Sequence, residues 1–251
     1  MENGNDSLLN RIRALLAKAE STDFPEEAET YTAKAMQLIS KYGIDQTLLQ
    51  AKEKTSVVGD RIFKVYAPFA RDKITFFNAI VNALGGRAVF LSHKSKINHG
   101  FEELHVFATE TDLARIDMLF TSLLVQCANA MNHAVRNSIA GQQRPRKFKS
   151  DFLYGFTNEV SLRLLRAERE AAKAAQNAAK AQGTSTDLVL ISKKEQVDRR
   201  VEDVYSNLQS SNRRRSEVGA GYGYGKAAGE RADLGGGTGI NKGAKQGALV
   251  R

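Results

Sequence analysis

The sequence predicts a helix-rich α+β fold: an N-terminal helical module, then a small sheet of about three to four strands packed on long helices, then a flexible glycine-rich tail. Three observations support this prediction. Apolar residues recur with the roughly 3.6-residue period of an amphipathic helix over most of the chain. Short segments rich in β-branched and aromatic residues interrupt that pattern between residues 61 and 191. Glycine is concentrated late, since 11 of the 20 glycines lie in residues 219–251.

The predicted organisation follows these changes in composition. The chain divides into a helical module at 1–50, a linker at 51–60, an α+β domain at 61–210 and a basic glycine-rich tail at 211–251. Charge varies along the same divisions, because residues 1–60 carry a net −3 while the last 44 residues carry +5 of the total +9. Such a tail buries too little apolar surface to offset its ordering entropy, which predicts flexibility.

Composition also excludes several classes of protein. A single cysteine, Cys127, excludes an internal disulfide framework and a four-cysteine zinc site. No apolar run approaches the roughly 18–20 residues that a membrane-spanning helix needs. The first six residues lack the basic and apolar parts of a signal peptide. These features predict a soluble, cytoplasmic protein without a membrane partner.

The helical module contains two or three short helices. Leu8, Ile12, Leu15 and Ala19 lie on one face of the first helix, after the cap-forming residues 5–7. A second helix begins near Pro25, a residue that suits the first helical turn, and runs to the glycine at position 43. Helices of this size make a marginal core, so we expect the module to pack on something else.

Four short motifs in this module resemble one family. They are RIRALLAKAE at residues 11–20, EAE at 27–29, AKA at 33–35 and KYGID at 41–45. Together they resemble the domain-of-unknown-function 2786 (DUF2786) family over about residues 8–46. The resemblance implies a bacterial or phage protein. It implies no activity, substrate, cofactor or catalytic residue, so no functional residue is carried over from it.

The α+β domain begins with a strand and a helix. Residues 61–66 are rich in β-forming side chains, and an amphipathic helix from Ile74 to Leu84 ends at Gly85 and Gly86. Residues 88–91 and 104–107 are two further strands joined by a polar loop, most simply an antiparallel hairpin.

Long helices follow the hairpin. Residues 109–112, TETD, have the spacing of a capping box before a helix over about 110–140, and a second long helix spans about 150–182. The run DLVLI at 187–191 predicts another strand, and an amphipathic helix follows at 197–208.

The histidines are the first candidates for catalysis or metal binding. His93, His99 and His105 are spaced by six residues in and around the hairpin, beside two glutamates. Imidazoles and a carboxylate could bind a divalent metal there. The spacing matches no compact metal motif, however, and the loop is polar enough to be simply solvated.

Other catalytic motifs are weaker still. Cys127 lies on the apolar stripe of its helix, where a thiol is inert. Residues 223–228, GYGKAA, match the glycine spacing of a dinucleotide-binding loop. No strand precedes them, however, and that loop requires one. We therefore expect no catalytic residue and no cofactor.

Basic clusters are the stronger functional signal. Cations neutralise phosphates, and aromatic rings can stack on unpaired bases. The candidate nucleic-acid-binding residues lie in two segments: Arg144, Arg146, Lys147, Phe148 and Lys149 between the long helices, and Arg213, Arg214, Arg215, Tyr222, Tyr224 and Lys226 in the tail.

The leading prediction is a non-catalytic nucleic-acid-binding protein that contacts phosphates of DNA or RNA through these two segments. One alternative is an accessory or assembly protein that binds an acidic protein, a host factor or a virion component, and self-association is compatible with the long helices. A second alternative is a metal-dependent enzyme centred on His93, His99 and His105.

Overall fold

The computed structural model describes residues 4–22, 24, 26–28, 30–31, 34–35, 57–91, 100–181, 187–209 and 218–234. In chain order its elements are α1 (Gly4–Ser21), β1 (Val58–Tyr66), α2 (Ala70–Ala83), β2 (Arg87–Leu91), β3 (Phe101–Thr109), α3 (Glu110–Arg136), α4 (Ile139–Gln143), α5 (Pro145–Ala181), α6 (Asp187–Val204) and α7 (Gly221–Arg231). Residues 26–28, 30–31 and 34–35 are also helical. The helix-rich α+β prediction is confirmed.

The three strands form one antiparallel sheet in the order β1–β3–β2. β3 pairs with both neighbours, so that His105 lies opposite Ile62 on β1 and Val89 on β2. The predicted hairpin between residues 88–91 and 104–107 is therefore correct. β1 is longer than predicted, because it begins at Val58, inside the predicted linker.

Helix ends follow the local sequence signals. α2 ends in a Schellman motif, in which the Gly86 N–H donates to the Val81 carbonyl at 2.9 Å and Gly85 has the left-handed φ of 77°. At the start of α3, the Thr109 hydroxyl accepts from the Asp112 N–H at 3.2 Å, as the capping spacing predicts. α3 and α5 are the two long helices expected over 110–140 and 150–182.

One face of the sheet covers the main core. Phe63 and Val65 from β1, with Leu104 and Val106 from β3, pack against the apolar stripes of α2 and α3. The predicted stripe of α3 is buried along its length, from Leu113, Ile116, Leu119, Phe120, Leu123, Leu124 and Cys127 to Met131 and Ala134. Burial of this continuous apolar surface supplies most of the driving force for folding.

The N-terminal module shares this core, a point the sequence left open. α1 packs on α3 and β1, and Ile12 and Leu16 are buried among the residues of the main cluster. Arg13 is buried beside them at 4% exposure, and its guanidinium forms an ion pair with Asp117 of α3. The same group donates to the Thr121 hydroxyl at 2.9 and 3.1 Å. The first helix is therefore joined to the α+β core by a buried ion pair.

The second face of the sheet is covered by α6. Phe107 from β3 meets Val197 and Val201 from the helix. The prediction of a strand at 187–191 is wrong, because these residues are the first turn and a half of α6. A short apolar run is compatible with either a strand or a helix, and this one is continuous with the helix whose Val197 and Val201 pack on the sheet.

The predicted flexible tail contains an ordered helix. Gly221, Gly225 and Gly229 of α7 lie four residues apart and face Phe148, Phe152 and Phe156, which have the same spacing on α5. A Cβ at Gly225 would collide with the Phe152 carbonyl, and one at Gly155 of α5 with the Tyr222 carbonyl. Small residues at this spacing let two helix backbones approach closely. The prediction of flexibility is therefore wrong for residues 221–231, and residues 210–217 and 235–251 lie outside the described residues.

Among the helices that the structure describes, none combines the length and the apolar character that crossing a bilayer requires.

Candidate functional site

An open groove of about 710 Å³ lies between the start of α2 and the start of α5. Arg71 and Asp72 line it from α2. Arg144, Arg146 and Lys147 line it from the junction of α4 and α5. Four cations from two segments about 70 residues apart in sequence therefore face one concave surface, against a single lining carboxylate.

Local sequence places the cations on the α5 side. Pro145 occupies the first helical position, where its missing N–H is not needed. Arg144, which precedes it, is kept out of the helical region by the proline, and its carbonyl accepts from the Phe148 N–H at 3.0 Å. The helix thus begins immediately at the basic cluster, so Arg146 and Lys147 occupy its first turn.

A second backbone feature shapes the α2 side. Phe69 immediately precedes α2 and has φ 59° and ψ 26°, the left-handed conformation that side chains with a Cβ rarely adopt. Its carbonyl accepts from the Lys73 N–H at 3.0 Å, and its ring is partly buried against the main core while it lines the groove. The left-handed residue therefore precedes the helix and lines the same groove as the cations.

The electrostatics of the groove are unfavourable for folding and favourable for an anion. The first turn of α5 contains no acidic residue, and its cations lie at the positive end of the helix dipole. Arg71, Arg144 and Arg146 form no side-chain ion pair with any residue that the structure describes. A bound anion would relieve the repulsion among these groups.

Two side-chain contacts involve residues that line the groove. The Ser150 hydroxyl of α5 donates to Asp72 of α2 at 2.7 Å and joins the two walls. Lys147 donates to Asp151 at 3.0 Å, and that carboxylate is 1% exposed. Lys147 is thus partly committed to neutralising a buried charge, whereas Arg144 and Arg146 are exposed.

The other two predicted residues of the 144–149 segment do not line the groove. Phe148 is 2% exposed, so its ring belongs to the core and is not available to stack on a base. Lys149 is half-buried and does not line the groove.

Three of the tail candidates, Tyr222, Tyr224 and Lys226, lie on α7 and are not among the groove-lining residues. The Tyr222 ring packs 5.5 Å from that of Tyr154, and its hydroxyl accepts from Asn158 at 3.3 Å. Tyr224 is 47% exposed and contacts Phe148, with ring centres 5.5 Å apart. Lys226 is exposed on the same helix. Arg213, Arg214 and Arg215 lie outside the described residues.

Sequence reasoning missed Phe69 and Arg71. Neither belongs to a basic cluster, and both come to the groove only because α2 packs against α5. Pro68, directly before the residues that begin an apolar helix, was the available signal, since proline marks a turn in the chain.

The structure places His105, which is buried, in a polar network whose other members are partly exposed. Its Nε2 lies 2.9 Å from Asp60 Oδ2, and its Nδ1 lies 2.8 Å from the Tyr205 hydroxyl. Because ionised Asp60 can only accept, Nε2 donates to it, and Nδ1 shares the second hydrogen bond with the Tyr205 hydroxyl. Arg200 of α6 donates to the other Asp60 oxygen at 2.7 and 3.0 Å. His93 and His99 lie outside the described residues, and the described ones contain no group of three metal-binding side chains.

The pKa shifts in this network favour a structural role. Burial raises the pKa of Asp60, but hydrogen bonds from His105 and Arg200, with their charges, outweigh burial and hold this pKa below its ordinary value. Burial and the charge of Asp60 raise the pKa of Tyr205. A nucleophile needs a lowered pKa, so Tyr205 serves here as a hydrogen-bond partner of His105 that helps hold the end of α6 on the sheet.

Comparison with known proteins bears on the first part of the chain. Residues 7–46 match the DUF2786 family, described as a protein of unknown function. The resemblance inferred from the RIRALLAKAE and KYGID motifs is therefore confirmed. The match includes most of α1 and ends before β1, so the groove lies outside the DUF2786 segment. No curated protein and no solved structure matches the chain.

Proposed function

We propose that the protein binds nucleic acid without catalysis, and that the groove between α2 and α5 contacts the phosphates. One observation carries the proposal: Arg71, Arg144, Arg146 and Lys147 line a single open groove. Three of these side chains have no ion-pair partner among the described residues, so their charge is available to a ligand. Such a protein would act in the cytoplasm of a bacterium or of a phage-infected cell.

The physical basis is release of condensed counterions. Each cation that neutralises a phosphate frees a counterion, so affinity falls as salt concentration rises. Guanidinium groups also bind phosphate oxygens through two parallel hydrogen bonds, which favours the three arginines as the main contacts. The 213–215 arginines remain candidates for further contacts.

The test is a salt titration of binding to fluorescent oligonucleotides. We expect the double variant Arg144→Gln/Arg146→Gln to lose at least about tenfold in affinity. The slope of log affinity against log salt should become shallower by about 1.4 for single strands or 1.8 for duplex, the values for two lost contacts.

The matched control is Arg166→Gln/Arg169→Gln, which removes two exposed cations from the same helix outside the groove. This variant should bind like the unaltered protein. A separate Arg213→Gln/Arg214→Gln/Arg215→Gln variant measures the contribution of that cluster. Absence of salt-sensitive binding at micromolar protein would refute the proposal, and equal losses in the two double variants would refute the role of the groove.

An acidic protein partner is the alternative that the same cations could serve. Poly-glutamate distinguishes it, because this polymer offers carboxylates without phosphates or bases. If poly-glutamate displaces the oligonucleotide as effectively as unlabelled nucleic acid at equal charge, an acidic protein becomes the better assignment.

A further inference from the structure

We infer that the groove takes a single strand of nucleic acid, with one base stacked on the Phe69 ring and the adjacent phosphates on the flanking arginines. This inference rests on the proposed function and specifies its ligand. It assigns a base-binding role to an aromatic residue that lies far in sequence from both basic clusters.

The first step is the shape of the groove. A concave volume of about 710 Å³ lies in the range of small-molecule sites, which is enough for one or two nucleotides. A duplex keeps its bases stacked inside and presents only groove edges and backbone. A pocket of this size therefore suits an unpaired nucleotide.

The second step is the aromatic ring. Phe69 is the aromatic residue among the groove-lining side chains of the described chain, whereas Phe148 is buried and Tyr222 and Tyr224 pack on α5. Its left-handed backbone conformation is uncommon for a residue with a Cβ, and such outliers concentrate at ligand sites. Because the ring rests on the main core, it is a fixed platform that needs little ordering when a base binds.

The third step is the carboxylate. Asp72 lines the groove and is held by the Ser150 hydroxyl. It repels a second row of phosphates, and it can accept a hydrogen bond from a base amino group. The cations suit the phosphate of a nucleotide, and the ring and the carboxylate suit its base, so the groove matches a nucleotide better than it matches the continuous phosphates of a duplex backbone.

The test compares strands that differ only in their bases. Three oligonucleotides of ten nucleotides are used: a deoxycytidine strand, an abasic strand of the same backbone and a duplex. A ribocytidine strand separates RNA from DNA. We expect the cytidine strand to bind about 5- to 100-fold more tightly than the abasic strand, the range that stacking on an aromatic ring supplies.

Two variants connect this ratio to the ring. Phe69→Leu should bring the ratio close to one while it leaves the salt slope unchanged, because the phosphates remain in place. Phe69→Trp keeps a ring and introduces the only tryptophan of the chain, so its fluorescence reports the site directly. Cytidine strands should quench this fluorescence, and abasic strands should not. Tyr224→Leu, at an exposed aromatic outside the groove lining, should keep the original ratio.

The outcomes separate the two claims. Equal affinity for the cytidine and abasic strands, or tighter binding of the duplex, overturns the single-strand inference and leaves the proposed function standing. Failure of every oligonucleotide to bind overturns the proposed function itself. Quenching of the Phe69→Trp variant by the abasic strand would show that the signal comes from the backbone, which also overturns the inference.

Discussion

Arginines occupy two contrasting environments in this protein. Arg13 is 4% exposed, forms an ion pair with Asp117, donates to Thr121 and lies over the rings of Phe63 and Phe120. Arg144 and Arg146, at the groove, are exposed and form no side-chain ion pair with a described residue. The same residue type is therefore part of the core in one place and available to a ligand in the other.

The difference shows what a net charge of +9 conceals. A buried guanidinium is stabilised by the groups that surround it, so it contributes to folding and cannot reach a polyanion. Exposed cations crowded at a helix N-terminus repel one another and oppose the dipole, so they are a cost to folding unless something binds them. The sign of a mutation's effect on stability should therefore differ between the two environments.

The largest expected effect is at the buried site. Arg13→Met should destabilise the protein by about 3–5 kcal/mol, because Asp117 is left buried without its counter-charge. Urea denaturation measures this change. Arg11→Met is the matched control, since Arg11 is an exposed arginine of the same motif and should cost less than about 0.5 kcal/mol.

A double variant sharpens this prediction. Arg13→Met/Asp117→Leu removes both charges and should recover part of the lost stability. Equal stability of the Arg13 and Arg11 variants would show that the buried pair contributes nothing.

Arg200 provides an intermediate environment, because it is half-exposed and binds Asp60. The pKa of Asp60 is lowered in the folded protein, so the ionised form is favoured there. The resulting stabilisation is present above the ordinary carboxylate pKa of about 3.9 and is lost as pH falls through the folded value. Thermal unfolding should therefore show stability falling below about pH 4.

Asp60→Asn tests the source of that acid sensitivity. The variant should be less stable at neutral pH and should differ less from the unaltered protein as pH approaches 2. A constant difference across this range would assign the acid sensitivity to other carboxylates.

The smallest effect has the opposite sign. Arg146→Glu places a negative charge in the first turn of α5, where the dipole favours it, and should raise stability by about 0.3–1 kcal/mol. Binding to nucleic acid should weaken in the same variant. Chemical denaturation and the salt titration measure the two effects, and a variant that loses both stability and binding would indicate that Arg146 belongs to the fold instead.

Much of the architecture follows from hydropathy alone. The nine residues of the α3 stripe recur with the helical period and are all buried, and the hairpin and the stop at Gly85 follow from β-propensity and turn chemistry. α7 was missed because glycine carries no hydropathy signal. Its four-residue glycine spacing acquires meaning only opposite the phenylalanines of α5.

Only the part of the candidate site that α5 contributes could be predicted from the sequence. The basic cluster at 144–149 is evident in the sequence. Which of its members face outward depends on where α5 begins, and a start at Pro145 places the Phe148 side chain in the core. Arg71 and Phe69 join the site through packing between α2 and α5, which local sequence does not encode. The burial of Arg13 could not be predicted for the same reason, since its partners lie more than 100 residues away in sequence.

The glycine face of α7 has a consequence for synthesis on the ribosome. The backbone surface of α5 on which α7 packs starts at Phe148, but Gly221, the first glycine that contacts it, is translated more than 70 residues later. At typical elongation rates this delay is about 4–15 s. During that interval a nascent chain therefore carries α5 with its backbone at Phe148, Phe152 and Phe156 not yet covered by α7. Folding of this protein is completed late, when a helix made largely of glycine and alanine docks on α5.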